Sequence, residues 1–373
     1  MDRIAPQSSD RRKFMTTAGS ALAATLAAPH LASASPQPPP QEAPLAPGVA
    51  RKIPIGVFDP PFGDLSLDAM IAKFSDWGVE AVEIGAGGYP GDAHCPAQEL
   101  LDDTAKLRAW KKKFDDHNIQ VATLSCHGNP VHPDAKIAQR DAETFRRTVL
   151  LAERLGVEVI VGFSGCPGGS AADTMPNWIT YRWPPEFDLA LKWQWNERVI
   201  PYWKEAVKFA RAHGIHKIGL EMHPNFVVYN PMTLLKLRDA VGEEIGANCD
   251  LSHLFWQGCD AVEVTHLLGK QGAIYHAHMK DTVFYKQNVE HYGVLNFAFS
   301  RDELPQASET FRAVGYGHSA NAWKEILRAY MEVGYKGILS VENEDPILPG
   351  EVGVRRALAV LKVVRAELLG TTA

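Results

Sequence analysis

The chain has 373 residues, is 46% hydrophobic and carries a formal net charge of −6. That length and apolar content are ample for a sizeable core, and the negative balance excludes a broad basic face of the kind a nucleic acid needs. The five cysteines, Cys95, Cys126, Cys166, Cys249 and Cys259, show no CxxC spacing, and their odd number argues against a disulfide framework, so they read as small core residues.

The first segment reads as a targeting signal. Arg11 and Arg12 precede Phe14 and a mildly apolar Ala/Leu stretch that ends at Ala32-Ser33-Ala34, an A-x-A-type cleavage site. Paired arginines in this setting are expected of a twin-arginine export signal spanning 1–34, which places the mature protein in the periplasm or outside the cell. The apolar run is too short and too mild for a stable membrane span, so none is expected after processing. Residues 35–51 are rich in proline, "SPQPPPQEAPLAPG", and read as a linker. The folded unit is expected over 52–373.

From Ile53 onward, short β-like runs alternate with amphipathic stretches. Strands are predicted at 53–58, 79–85, 119–126, 157–165, 216–222, 245–251, 273–281 and 336–344. Helices are predicted between them at 66–78, with Ser66 as N-cap and Gly78 as stop, and at 97–118 and 135–156. Further helices are predicted at 193–214 with a kink at Pro201, 231–242, 260–272, 321–334 and 351–369. Two long loops, 166–188 and 282–318, separate the later units. Eight β-then-α units imply a parallel sheet closed into an α/β (β/α)8 TIM barrel of one domain, with an open doubly wound sheet as the alternative. No GxGxxG follows the first strand and no P-loop lysine occurs, which leaves a nucleotide fold without support.

Polar residues gather at the C-terminal ends of the later strands, where this architecture carries its chemistry. Strand five ends in Glu221, strand six in Asp250, strand seven carries His276 and His278, and strand eight carries Glu342, followed by Asn343, Glu344 and Asp345. Three carboxylates on one rim cannot all stay ionised at close range without a cation. Three oxygen donors with one nitrogen suit Mn²⁺, Mg²⁺ or Co²⁺, and Zn²⁺ also accepts such a set. His276 and His278 share a strand face, and His278 is taken as the ligand because it lies nearer the C-terminal end. His127, His223, His253, Lys280 and His318 are candidates for contact with substrate hydroxyls. Trp256 and the Trp-rich stretch 178–195 are candidates for stacking on a sugar ring.

These residues give the chain its resemblance to the xylose isomerase-like sugar isomerase/epimerase superfamily, which includes ketose 3-epimerases, inosose isomerases and dehydratases, and endonuclease IV. The resemblance runs through "VEIGAGGYPGDAHC" (82–95), "LSCHGNPVHPD" (124–134), "GLEMHPNFVVYN" (219–230), "CDLSHLFWQG" (249–258), "HAHMKDT" (276–282), "VGYGHSANAW" (314–323) and "LSVENEDP" (339–346). It implies a Glu–Asp–His–Glu metal site at Glu221, Asp250, His278 and Glu342, with His253 close to metal and substrate. It also implies that Glu221 and Glu342 exchange the substrate proton. The chain departs from the ketose 3-epimerase pattern at two places. Val227 and Val228 stand where those enzymes carry a second acidic residue, and Lys280 and Asp281 stand where they carry an arginine.

The expected activity is a metal-dependent isomerisation or epimerisation of a sugar, keto-sugar or polyol through an enediolate. Two other functions fit the same residues: β-elimination from a 3-keto-glycoside, and sugar binding without turnover. The exposed barrel faces leave room for a homo-oligomer.

Overall fold

A computed structural model describes residues 51–298 and 300–371. The export signal and most of the linker expected from the sequence lie outside those residues. The strands are β1 (Ile55–Phe58), β2 (Ala81–Gly85), β3 (Gln120–Ser125), β4 (Val159–Phe163), β5 (Lys217–Glu221), β6 (Ile245–Asp250), β7 (Ile274–Met279), β8 (Asp281–Phe284), β9 (Glu309–Arg312) and β10 (Leu339–Val341). Eight of them close a barrel in the order β1-β10-β7-β6-β5-β4-β3-β2, every neighbouring pair parallel. This is the single-domain TIM barrel that the alternation of runs predicts.

Helices wrap the barrel and seal it with large apolar side chains. Phe74, Phe114, Trp203, Trp323 and Tyr330 are each fully buried from a different turn of that outer layer. Burying a side chain of this size is worth roughly 1.5–3 kcal/mol relative to leaving it in water. Four of the five cysteines are buried, Cys259 is half-buried, and none is paired. The helix ends follow the sequence signals. Ser66 Oγ accepts the amide of Ala69, and Gly78 leaves its helix at φ +61°.

Three local departures from the predicted elements have physical causes. The helix expected over 97–118 is two, Ala97–Asp102 and Thr104–Asp115. Asp103 sits between them in extended backbone, where its carboxylate accepts the amides of Ala105 and Lys106 and caps the second helix. The helix expected from 193 begins at Pro185 and runs to Ala212, with a π-helical segment at Gln194–Val199. The irregularity precedes Pro201 because proline has no amide to close the regular ladder. The loop expected over 282–318 contains β8, a helix at Lys286–Tyr292 and β9, and the two strands form an antiparallel hairpin.

That hairpin rises directly from the end of β7 and is tied down beside the barrel mouth. The carboxylate of Asp281 accepts the amides of Gly315, Gly317 and His318, the His318 ring Nδ1–H at 2.7 Å and the Trp323 indole N–H. Gly317 lies so close that a Cβ there would come within 2.0 Å of the Thr282 carbonyl oxygen. Arg312 on β9 pairs with Asp345, just after β10, at 2.8 Å.

Candidate metal centre

The C-terminal ends of β5, β6, β7 and β10 deliver four side chains to one point. One donor atom each from Glu221, Asp250, His278 and Glu342 lies within 4.8 Å of the others. Their backbones end neighbouring strands, so the barrel closure itself sets their separation. The rim residues singled out in the sequence therefore form one cluster.

Each carboxylate has its own surroundings. Glu221 Oε2 accepts from His127 Nε2 at 2.9 Å and from the Asn248 amide at 3.0 Å, and Oε1 lies 3.0 Å from His253 Nε2. Burial opposes its ionisation, but these histidines outweigh that and hold it well below the usual carboxylate range. Asp250 Oδ1 accepts the amide of Ser252, while Oδ2 faces Lys280 at 2.9 Å. Burial is again outweighed there, chiefly by the Lys280 ammonium, and the Asp250 carboxyl is held low. Glu342 goes the other way: burial raises it above the ordinary value despite Lys280 and His278 nearby.

His278 is fixed from behind. Its Nε2 lies 2.9 Å from Glu83 Oε2, its Nδ1 lies 2.9 Å from Glu342 Oε2, and the Phe58 ring stacks against it at 5.5 Å. Glu83 is fully buried inside the barrel, one layer below the four donors. It also accepts from His276 Nε2 at 2.7 Å, from the Ser340 hydroxyl at 2.7 Å and from the Ser125 hydroxyl. Burial would keep Glu83 neutral, but His276 and His278 hold it well below the usual range. His276 is thus a partner of Glu83 rather than a member of the upper cluster.

Lys280 is 1% exposed, a rare state for a lysine. Its ammonium lies 2.7 Å from Glu342 Oε2, 2.9 Å from Asp250 Oδ2 and 2.9 Å from Glu344 Oε2, and Phe311 of the hairpin covers it at 4.3 Å. Of the three carboxylates, only Glu344 is met with hydrogen-bond geometry, and a longer contact of 3.4 Å runs to His253 Nε2. Asp250 Oδ2 and Glu342 Oε2 are buried oxygens that accept no well-directed hydrogen bond. Buried polar atoms of that kind are unusual. Together with the hard oxygen donors and one imidazole, they make the cluster able to hold a divalent cation.

A cavity of about 260 Å³ opens directly above, with Glu221, Glu342 and Lys280 in its floor. Its walls include His127 and His223. The aromatic wall comes from Phe58, Tyr89 and Phe163, whereas no tryptophan lines the cavity. Trp178 packs edge-on against Tyr229 and Trp195 is buried in the π-helical segment. The "GAGGYPG" turn backs this wall. Tyr89 donates its amide to the His127 carbonyl, and a Cβ on Gly88 would lie 2.0 Å from that same oxygen. His253 lies beneath the cavity against His223, with ring centroids 4.2 Å apart. His318 is held away from the cavity by Asp281 and packs against Phe255 with ring centroids 4.1 Å apart. A larger void of about 380 Å³ sits at the opposite, N-terminal end of the strands. There Glu158 and Lys217 neutralise each other at 2.6 Å, and this architecture does its chemistry at the other end.

Sequence reasoning passed over Glu83, Asn248 and the aromatic wall. The available signal was the interior layering of the barrel: Glu83, Ser125, His276 and Ser340 come from four different strands and meet in one interior cluster.

Comparison with known proteins fits this geometry. The family model for the xylose isomerase-like TIM barrel matches residues 71–364. The chain is 35% identical over 306 residues to a protein of Bacillus subtilis (strain 168) described as uncharacterized protein YfiH, an overlap of 80% of this chain and 95% of that one. Among solved structures, the E. coli 3-keto-D-glucoside 4-epimerase YcjR superposes with a TM-score of 0.56 at 14% identity, covering 84% of this chain and all of that one. A xylose isomerase-like TIM barrel protein from Mycobacterium smegmatis, crystallised with magnesium, superposes with a TM-score of 0.57 at 15% identity, covering 86% of this chain and 99% of that one. At these identities the superpositions speak for the fold.

Proposed function

The chain belongs to the xylose isomerase-like TIM barrel family, and from that premise we propose that it is a divalent-metal-dependent isomerase or epimerase of a sugar, keto-sugar or polyol. The observation that carries this reading is the meeting of Glu221, Asp250, His278 and Glu342 beneath a cavity sized for a small molecule, with Glu221 and Glu342 lining it. The solved neighbours include an enzyme named as a keto-glucoside epimerase and a magnesium complex, which agree with it. Mn²⁺, Mg²⁺ and Co²⁺ suit the donor set, and Zn²⁺ is compatible.

In this reading Glu221, Asp250, His278 and Glu342 hold the ion, which when bound supplies Lewis-acid polarisation of a substrate carbonyl. Glu221 and Glu342 also carry the proton. One carboxylate removes hydrogen from the carbon next to the carbonyl, leaving the electron pair delocalised onto oxygen. A carboxylic acid then returns a proton to the opposite face for epimerisation, or to the neighbouring carbon for isomerisation. His127 and His253 keep Glu221 oriented through its two oxygens, while His127, His223 and Lys280 present polar groups to substrate hydroxyls. Phe58, Tyr89 and Phe163 shield the reacting carbon from water.

The test is a panel of keto-sugars in deuterated water, with the bound metal measured on the same preparation. Deuterium is expected at the carbon beside the carbonyl, and Glu221→Gln and Glu342→Gln are each expected to slow that exchange by roughly 10²–10⁴-fold. Absence of exchange with every substrate would remove the enediolate scheme. Release of an aglycone from a 3-keto-glycoside would move the assignment to β-elimination. Retention of sugar affinity by Glu221→Gln, with no turnover in the wild type to lose, would make the protein a binding barrel. The paired Arg11 and Arg12 extend the proposal to export; a mature N-terminus following Ala34 in a periplasmic or secreted fraction is the expected result.

A further inference from the structure

Lys280 is buried among acids that the proposed ion also needs. Its ammonium stands against Asp250 Oδ2 and Glu342 Oε2, and these same oxygens converge with Glu221 and His278 Nδ1 on the candidate ion site. Neither oxygen receives a well-directed hydrogen bond, whereas the bond from Lys280 to Glu344 is well formed at 2.9 Å. Lys280 therefore has a well-directed hydrogen bond to Glu344, outside the four-donor cluster, and two short ion pairs inside it, at 2.7 and 2.9 Å, that lack hydrogen-bond geometry. Glu344 is the exposed member of the set, with 54% of its side chain open to solvent, and it stands at the cavity wall.

Resting on the metal reading above, we propose that Lys280 is a tethered counter-ion that competes with the divalent ion for Asp250 Oδ2 and Glu342 Oε2, with Glu344 as the anchor that holds the ammonium when those oxygens are engaged. Two cations cannot share the same buried oxygens without strong repulsion, since at such short range little water screens them. The lysine thus sets how tightly the protein holds its ion: it covers the acids in the ion-free state and weakens ion affinity. In the loaded state the ammonium, still bonded to Glu344 and roofed by Phe311, points a positive charge along the cavity wall toward the substrate oxygens.

Isothermal titration of the metal-stripped full chain with Mn²⁺ tests this. Lys280→Met keeps the apolar stem as far as Cε and removes the ammonium, and it is expected to bind Mn²⁺ at least tenfold more tightly than the wild type. Glu344→Gln, at a half-exposed position, removes the anchor and is expected to weaken Mn²⁺ binding several-fold. That loss is expected to shrink markedly in the Lys280→Met background, because a simple loss of one nearby negative charge would be the same in both. Equal or weaker binding by Lys280→Met overturns the proposal while leaving the metal site standing. So does an unchanged or tighter Glu344→Gln, even where Lys280→Met does not fold. If neither the wild type nor Lys280→Met binds Mn²⁺, Mg²⁺, Co²⁺ or Zn²⁺, the metal reading itself falls and this proposal with it.

Discussion

At the scale of single residues, the rim cluster rests on a glutamate buried beneath it, outside the cavity. Glu83 lies 2.9 Å from His278 Nε2, which leaves Nδ1 of that ring facing the other rim residues, 2.9 Å from Glu342 Oε2. A partner of this kind fixes the tautomer and orientation of a metal-binding imidazole. Glu83→Gln is expected to lower Mn²⁺ affinity about 10–100-fold in the same titration, with the cavity walls unchanged; undiminished affinity would reduce Glu83 to a packing role. The four rim donors were legible in the sequence because each closes a strand-like run, and the order of runs fixes which rim they share. Glu83 was not. Glu80 stands just before β2 and Glu83 within it, and the local sequence does not say what either one meets. Glu80 turns outward to Lys52 and Arg365 near the start of the barrel, while Glu83 turns inward to histidines nearly two hundred residues away. Lys280 was recognised as a polar group near the substrate, yet its burial among three carboxylates depends on where three strands and a hairpin come together.

At the scale of elements, the insertion after β7 is the least legible part of the chain and bears on the site most directly. Its length and mixed composition read as loop, because a four-residue antiparallel pair leaves too short a pattern to stand out. The same pair sets Phe311 over Lys280 and His253. Glu309, its neighbour on β9, is buried with Oε2 unpartnered, and burial pushes its carboxyl up to about 8 from an ordinary value of 4.5. Below pH 4.5 the group is protonated in folded and unfolded chains alike and costs nothing. Between pH 4.5 and 8 the unfolded chain gives up the proton while the folded one keeps it, so stability falls as pH rises, and above pH 8 the penalty is constant. Glu309→Gln removes the titration. Its unfolding temperature relative to wild type is expected to be higher at pH 8 than at pH 4.5, by an amount on the order of 4 kcal/mol in stability. A gap that does not change with pH would mean that Glu309 finds a compensating partner.

At the scale of the whole molecule, eight repeats of one pattern made the barrel readable, since only closure gives eight parallel strands eight neighbours. The rim cluster joins β5, β6, β7 and β10, so an ion held there ties four staves together and should stabilise the entire fold. At a free ion concentration a hundred times the dissociation constant the gain is about 2.7 kcal/mol. Chelation is expected to lower the unfolding temperature of the wild type by a few degrees and to leave Asp250→Asn unchanged; equal shifts in both would place the stabilising ion elsewhere. The buried acid beneath the rim has a consequence for how the chain assembles. Glu83 finds its hydrogen-bonding partners 42, 193, 195 and 257 residues further on. A nascent polypeptide therefore carries this carboxylate without its histidine partners until His276 and His278 emerge, and without its full set until Ser340 does. Barrel formation becomes a late, concerted event timed by the emergence of the final strand, and fragments ending before it should remain open and prone to degradation.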